Sequence, residues 1–285
     1  MSLPCEGVAG GAGVSDAFAF NVDEVGIAYG RFQELRLKSC YQPLFRVEDD
    51  LLMPFAVEAL VIAFTGGRAV PAAKLFERAA AEERAALERL CRVLHMRNYH
   101  NIGVDGLELF FNVDPAMPDE DVEHLDWLFA ENEIAPGMVV CEITEALGAG
   151  TERVTALTQN IRRSGMRVAV DDFGAGHSTP ARLRLIRPDI VKLDAAWFQK
   201  IVADEAARDF LPTLFARFHE LGTQVLVEGI ETPEQLRVAI AAGADHLQGF
   251  LLARPALAGT IFDDAALSVA ALSAEAAPGA QATSR

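Results

Sequence analysis

Arg167-Val-Ala-Val-Asp-Asp-Phe-Gly-Ala-Gly176 sets two adjacent carboxylates, Asp171 and Asp172, at the end of an apolar run and follows them with a glycine loop. Two carboxylates at the mouth of a buried strand are costly unless a cation or several hydrogen bonds compensate them. Hard divalent cations supply that compensation, and a glycine loop lets a ligand approach the backbone. A strand end followed by an ordinary helix N-cap fits the same residues. The stretch predicts a strand; the rest of the chain has to decide what its aspartates do.

Outward from this strand, apolar strand-like runs alternate with helix-like ones. Strands are expected at Tyr41–Val47, Phe55–Phe64, Leu107–Val113, Met138–Ile143, Arg167–Val170, Ile190–Leu193, Thr223–Val227 and His246–Leu252. Helical spacing covers Ala72–Arg97 (two helices), Asp121–Glu131, Val154–Ser164, Ala181–Ile186, Phe210–Leu221 and Pro233–Ala241, with a short helix around Asp23–Leu37. Such alternation implies a mainly parallel sheet with helices outside. Eight units favour an α/β, TIM-like (βα)8 barrel over a doubly wound open sheet, and no GxGxxG follows the first strand. The expected domains are a tail and short helix over residues 1–31, a barrel over 32–265 and a flexible tail over 266–285.

Composition narrows the function. With 51% hydrophobic and 23% charged residues the chain reads as soluble and globular. A net charge of −16 repels a phosphate backbone, so DNA and RNA are not expected partners. A small anion remains admissible where metals or basic groups reverse the sign locally. Cys5, Cys40, Cys91 and Cys141 lack CxxC spacing and read as free thiols in a reducing compartment. No signal-peptide pattern is evident, and the densest apolar run, Phe55–Phe64, is too short for a bilayer and carries Glu58. A cytoplasmic protein without membrane insertion is expected. The stretch before the barrel is expected to be too short for a sensor domain.

In barrels of this kind, active sites form where strands end. The polar residues there are Glu58, Asn112, Glu142, Asp171 with Asp172, Lys192, Glu228 and Gln248, one set for each strand from the second to the eighth. Charged groups amid apolar neighbours are normally excluded, and a structural ion pair would account for only two of them. The ladder therefore favours metal ligation for the Asp pair. Five carboxylates (Glu58, Glu142, Asp171, Asp172, Glu228) and an Asn are oxygen donors suited to Mg²⁺ or Mn²⁺. That many negative groups exceed what one cation neutralises, which makes two cations plausible. Two metals about 3.5–4 Å apart are the usual arrangement for phosphoester hydrolysis. Lys192 is placed to orient a water or meet a phosphate oxygen. No Ser or Cys is paired with a His base, which disfavours a covalent route.

These residues also carry a resemblance. Tyr41-Gln-Pro43, Val57-Glu-Ala-Leu60, Asp171-Asp-Phe-Gly174, Lys192-Leu-Asp194, Val227-Glu-Gly-Ile-Glu231, Gln248-Gly-Phe250 and Arg254-Pro255 occur in the order of one family. Over about Phe32 to Phe262 the chain resembles the EAL domains that hydrolyse the bacterial messenger cyclic di-GMP. The resemblance implies a barrel whose first strand runs antiparallel to the rest. It implies one cation held by Glu58, Asn112, Glu142 and Asp171, and a second held by Asp171, Asp172 and Glu228. Lys192 is implied to contact the attacking water, with Glu228 and Glu231 also in the catalytic set. Gln42, Leu60, Asp194, Gln248 and Pro255 are implied to contact or support the nucleotide. Glu145 is implied to anchor the loop after the Asp pair. The implied product is linear pGpG, and a homodimer is implied.

Three departures stand out. The family usually has an Arg where this chain has Ile62, two residues after Leu60. Loss of one charge-assisted contact costs about 1.5–3 kcal/mol of binding. The loop Phe173-Gly-Ala-Gly-His-Ser-Thr179 has Ala175 where a hydroxyl is usual, His177 where Tyr is usual, and Pro180 after it. Pro71 to Glu83 follows the family pattern only loosely. A catalytically weak or inactive receptor or protein-interaction module of the same fold is the alternative, with an unidentified signalling protein as partner. A weaker third reading is an unrelated metal-dependent barrel enzyme acting on another phosphate ester.

Overall fold

The computed structural model describes residues 18–144, 150–175 and 180–274, and the chain divides into two compact units. The first comprises Met1–Pro43, Ala56–Ala169 and Pro255–Asp263; the second comprises Leu44–Phe55, Val170–Arg254 and Asp264–Arg285. The expected tail Met1–Val14, Glu145, Gly176 to Thr179 and the chain beyond residue 274 lie outside the described residues.

The first unit opens with an antiparallel hairpin, β1 (Phe18–Val22) and β2 (Ala28–Phe32), and β2 lies within the stretch Asp23–Leu37 where a helix was expected. Period two decides it: Ala28, Gly30 and Phe32 are buried while Tyr29 and Arg31 are more exposed. The turn is made locally, since the Asp23 carboxylate accepts the Val25 and Ile27 N–H groups and Gly26 sits at φ 88°. β2 continues antiparallel into β3 (Leu35–Glu48), whose part up to Pro43 belongs here and whose remainder belongs to the second unit, with Tyr29 opposite Lys38. Next come β4 (Leu51–Thr65), whose latter part belongs here, and the short β5 (Arg68–Val70). Helices α1 (Ala72–Arg78) and α2 (Ala81–Asn98) follow. Then β6 (Glu108–Val113), α3 (Asp119–Glu131), β7 (Val139–Thr144) and α4 (Thr151–Arg163) lead into β8 (Arg167–Phe173). β4, β6 and β7 pair in parallel, with Glu58 opposite Phe110 and Asn112 opposite Glu142. Leu109, Phe110 and Phe111 are all buried, the near-continuous apolar run of a strand covered on both faces.

In the second unit, β8 runs on through the Asp pair to Phe173 instead of stopping at Val170. It is followed by α5 (Pro180–Ile186), β9 (Ile190–Leu193), α6 (Ala195–Ala203), α7 (Glu205–Arg208), α8 (Leu211–Glu220), β10 (Gln224–Val227), α9 (Pro233–Ala242) and β11 (His246–Leu247). β9, β10 and β11 pair in parallel, and β11 pairs antiparallel with β3, His246 opposite Arg46. The last strand was expected to reach Leu252 but ends at Leu247. Beyond it the Gln248 carbonyl accepts the Ile230 N–H, and a Cβ on Gly249 would lie 2.1 Å from the Ile230 carbonyl oxygen. That close approach needs glycine and turns the chain off the sheet.

A buried polar cluster ties the hairpin to α2 in the first unit. Asn98, fully buried, accepts the Ala28 N–H and donates to the Ala28 carbonyl, both at 2.8 Å. Ser39 Oγ lies 3.0 Å from His95 Nδ1, and the Tyr41 hydroxyl donates to the His95 carbonyl. Burial, and then the charge of Arg92, push the His95 imidazole down to about 3 from an ordinary 6.5. Between those two values the unfolded chain binds a proton that the folded chain does not, so stability falls as pH drops through the window. Urea midpoints measured from pH 7 to pH 4 should therefore decline, and His95→Gln should make that decline shallower.

Candidate functional site

Each unit presents acidic residues on its strands or just past them. In the first, strand alternation and register put Glu58, Asn112 and Glu142 on one face, because Glu58 pairs with Phe110 and Asn112 with Glu142. Asn112 Nδ2 donates to Glu142 Oε2 at 3.3 Å; Glu142 is fully buried and Glu58 nearly so. Leu60 and Ile62 follow on the same face of β4, both half-buried.

In the second unit, one carboxylate oxygen each from Asp171, Asp172 and Glu228 lies within 4.8 Å of the others. Lys192, fully buried on β9, sets Nζ 2.7 Å from Glu228 Oε1 and 3.3 Å from Asp171 Oδ1. Opposite charge at this range is what allows a lysine to stay inside a sheet. Asp172 adopts φ 58°, a left-handed conformation that Asp tolerates better than most residues. Its N–H donates to Asp171 Oδ1 at 2.9 Å. Three hard oxygen donors converging on one point fit a divalent cation of the Mg²⁺ or Mn²⁺ type.

The remaining site candidates take varied places. Gln42 and Gln248 are buried, while Pro255 and Glu231 are exposed. The Glu231 N–H donates to Gln235 Oε1, part of the capping box that starts α9. Asp194 caps α6: its Oδ1 accepts the Trp197 N–H at 2.8 Å, and its own N–H donates to the Phe173 carbonyl. Glu145 lies outside the described residues. The sequence reading missed Trp197, whose indole packs over Gly174 and edge-on to Phe173. The signal was present as an aromatic three residues into a helix that starts one strand after the glycine loop.

The chain matches the EAL domain family over residues 28–255. An α/β barrel with an acidic set at its strand ends is the class that fold and site define. The chain belongs to the EAL domain family, and its fold is that family's TIM-like barrel. The cyclic di-GMP phosphodiesterase RocR of Pseudomonas aeruginosa is 33% identical over 153 residues, 52% of this chain and 39% of RocR. The cyclic di-GMP phosphodiesterase NbdA of the same organism is 29% identical over 175 residues, 59% of this chain and 22% of NbdA. The solved structure of Klebsiella pneumoniae BlrP1 with calcium and cyclic di-GMP is 26% identical with a TM-score of 0.66. It covers 78% of this chain and 56% of the BlrP1 chain. This chain thus spans well under two thirds of each relative's length. Among the described residues, no helix is long and apolar enough to cross a membrane.

Gly174 generates a direct test. It sits at φ 104°, and a Cβ there would lie 2.5 Å from the Trp197 ring. Gly174→Ala should destabilise the fold by about 1–3 kcal/mol through backbone strain and overpacking, measured by chemical denaturation. Displacement of the indole should red-shift its fluorescence.

Proposed function

We propose that this chain is a metal-dependent phosphodiesterase that hydrolyses cyclic di-GMP to linear pGpG. The observation that carries the reading is the convergence of Asp171, Asp172 and Glu228 oxygens within 4.8 Å, with the Lys192 ammonium against two of them. Family membership and the phosphodiesterase names of its relatives support it. The proposed ligands of two divalent cations, Mg²⁺ or Mn²⁺, are Glu58, Asn112 and Glu142 in the first unit and Asp171, Asp172 and Glu228 in the second.

Bound cations would supply Lewis-acid activation of a water and neutralise charge that develops on the phosphate. The chain's own residues do the rest. Lys192 donates a hydrogen bond to the attacking water and holds it beside the carboxylates. The buried walls of β9 and β10 exclude other water and strengthen each electrostatic contact. The proposed nucleotide contacts are Gln42, Leu60 and Pro255 in the first unit and Gln248 in the second, and Asp194 fixes the end of β8 against α6. Glu231 supports the same strand end as Glu228.

A second reading, a receptor or interaction module with little turnover, is favoured by Ile62. That side chain is apolar and half-buried on the face that carries Glu58 and Leu60, and it offers a phosphate no hydrogen bond.

Two measurements decide. Incubation with cyclic di-GMP and Mn²⁺ should yield pGpG, and no product would reject the enzyme reading. Ile62→Arg should then raise kcat/KM about tenfold or more, the value of one charge-assisted contact. Calorimetric titration with Mn²⁺ should separate ligand from lysine. Glu228→Gln should weaken binding about tenfold or more, because ligand charge sets affinity at hard-cation sites. Lys192→Met should bind Mn²⁺ at least as tightly as the unaltered chain, because a competing cation is gone, and should turn over no substrate.

A further inference from the structure

Beside β4 and β6 the first unit holds a cavity of about 260 Å³, walled on one side by Leu60 and Asn112 and on the other by a face of α2. Two arginines reach it. Arg92 is buried and committed: its Nη2 donates to Asp121 Oδ2 at 3.0 Å, and the same oxygen takes Nε of Arg89. Arg84 is placed differently. Its side chain is 53% exposed, its Nε donates to Glu88 Oε1 at 3.2 Å, and Asp114 Oδ2 stands 3.8 Å away. The guanidinium carbon lies 5.6 Å from the centre of the Phe76 ring, on the cavity wall. These contacts engage one edge and one face. The two terminal amino groups make no hydrogen bond among the described residues, which leaves a planar pair of donors in the geometry that suits a phosphoryl group.

The neighbouring charges bear on this. Glu88 and Asp114 hold the guanidinium in place but also oppose an incoming anion. Burial, and then the charge of Asp114, push the Glu88 carboxyl above its usual range, which lessens that opposition. The chain as a whole carries a net charge of −16, so an anionic ligand needs a local cation, and Ile62 on the facing strand brings none.

We propose that Arg84 is a phosphate-contacting residue of the nucleotide site, reaching the ligand from α2 through the cavity that Leu60 and Asn112 line. The inference rests on the cyclic di-GMP reading above. It moves the basic contact of this chain from the barrel strand to the helix outside it.

Calorimetry with cyclic di-GMP in the presence of Ca²⁺, with the nucleotide checked for integrity, tests both statements. Arg84→Gln should weaken binding about 10- to 100-fold, the value of a lost charge-assisted pair. Arg84→Lys keeps the charge but not the fork and should lose about three- to tenfold. Mn²⁺ affinity measured without nucleotide should be unchanged in both variants, because Arg84 donates no oxygen. Nucleotide binding by Arg84→Gln equal to that of the unaltered chain would overturn the proposal and leave the substrate reading intact. A parallel loss of Mn²⁺ affinity would assign Arg84 a structural role and overturn it as well. An unaltered chain that binds no cyclic di-GMP would overturn the substrate reading, and the role of Arg84 with it.

Discussion

A lysine ammonium inside a β-sheet is the constraint on which the second unit depends. Lys192 is fully buried, and moving such a charge out of water costs several kcal/mol unless partners surround it. Asp171 on β8 and Glu228 immediately after β10 are those partners. Their mutual arrangement is set by strand register, since Lys192 pairs with Leu226 and Glu228 lies two residues further along the same face. A slip of one residue in β9 or β10 would turn the lysine or the glutamate out of the cluster. The same electrostatics that holds the sheet in register therefore assembles the acidic group.

Much of this was legible in the sequence. Lys192 stands out because Ile190-Val-Lys-Leu193 is otherwise an uninterrupted apolar strand, and its bounds match the structure residue for residue. The positions of Asn112 and Glu142 on neighbouring strands followed from counting apolar runs. Other features depend on contacts that periodicity does not carry. The segment Asp23–Leu37 has charges at helical spacing, yet Asp23 spends its carboxylate on a turn and Phe32 and Leu35 go to the core. The end of β11 is set by the Ile230 backbone, which is remote in sequence from Gly249 until the chain folds. Asp172 was expected just past the strand end, and its left-handed backbone inside β8 carries no sequence signal.

The first unit solves a related problem with neutral groups. Ser39, Tyr41, His95 and Asn98 form a polar cluster without a full charge, because burial keeps the imidazole neutral. The buried thiols behave alike: burial pushes Cys91 up to about 12 and Cys40 up to about 11, so both stay protonated and inert. A buried ion pair in this unit is Arg92 with Asp121, which Arg89 also reaches. Of the two arginines that line the cavity beside Leu60, Arg92 is committed to Asp121, which gives weight to Arg84.

The capping box at Thr232 and Gln235 has a thermodynamic consequence. Helix α9 begins only a few residues after Glu228, with Pro233 at its first turn and Gly243 closing it. So short a link between β10 and a firmly started helix leaves Glu228 little conformational freedom. The entropy of ordering that carboxylate is lost when the chain folds, not when a ligand arrives. Loosening this helix start would surface first as weaker affinity with an unfavourable binding entropy, while every group that touches the ligand stayed chemically intact.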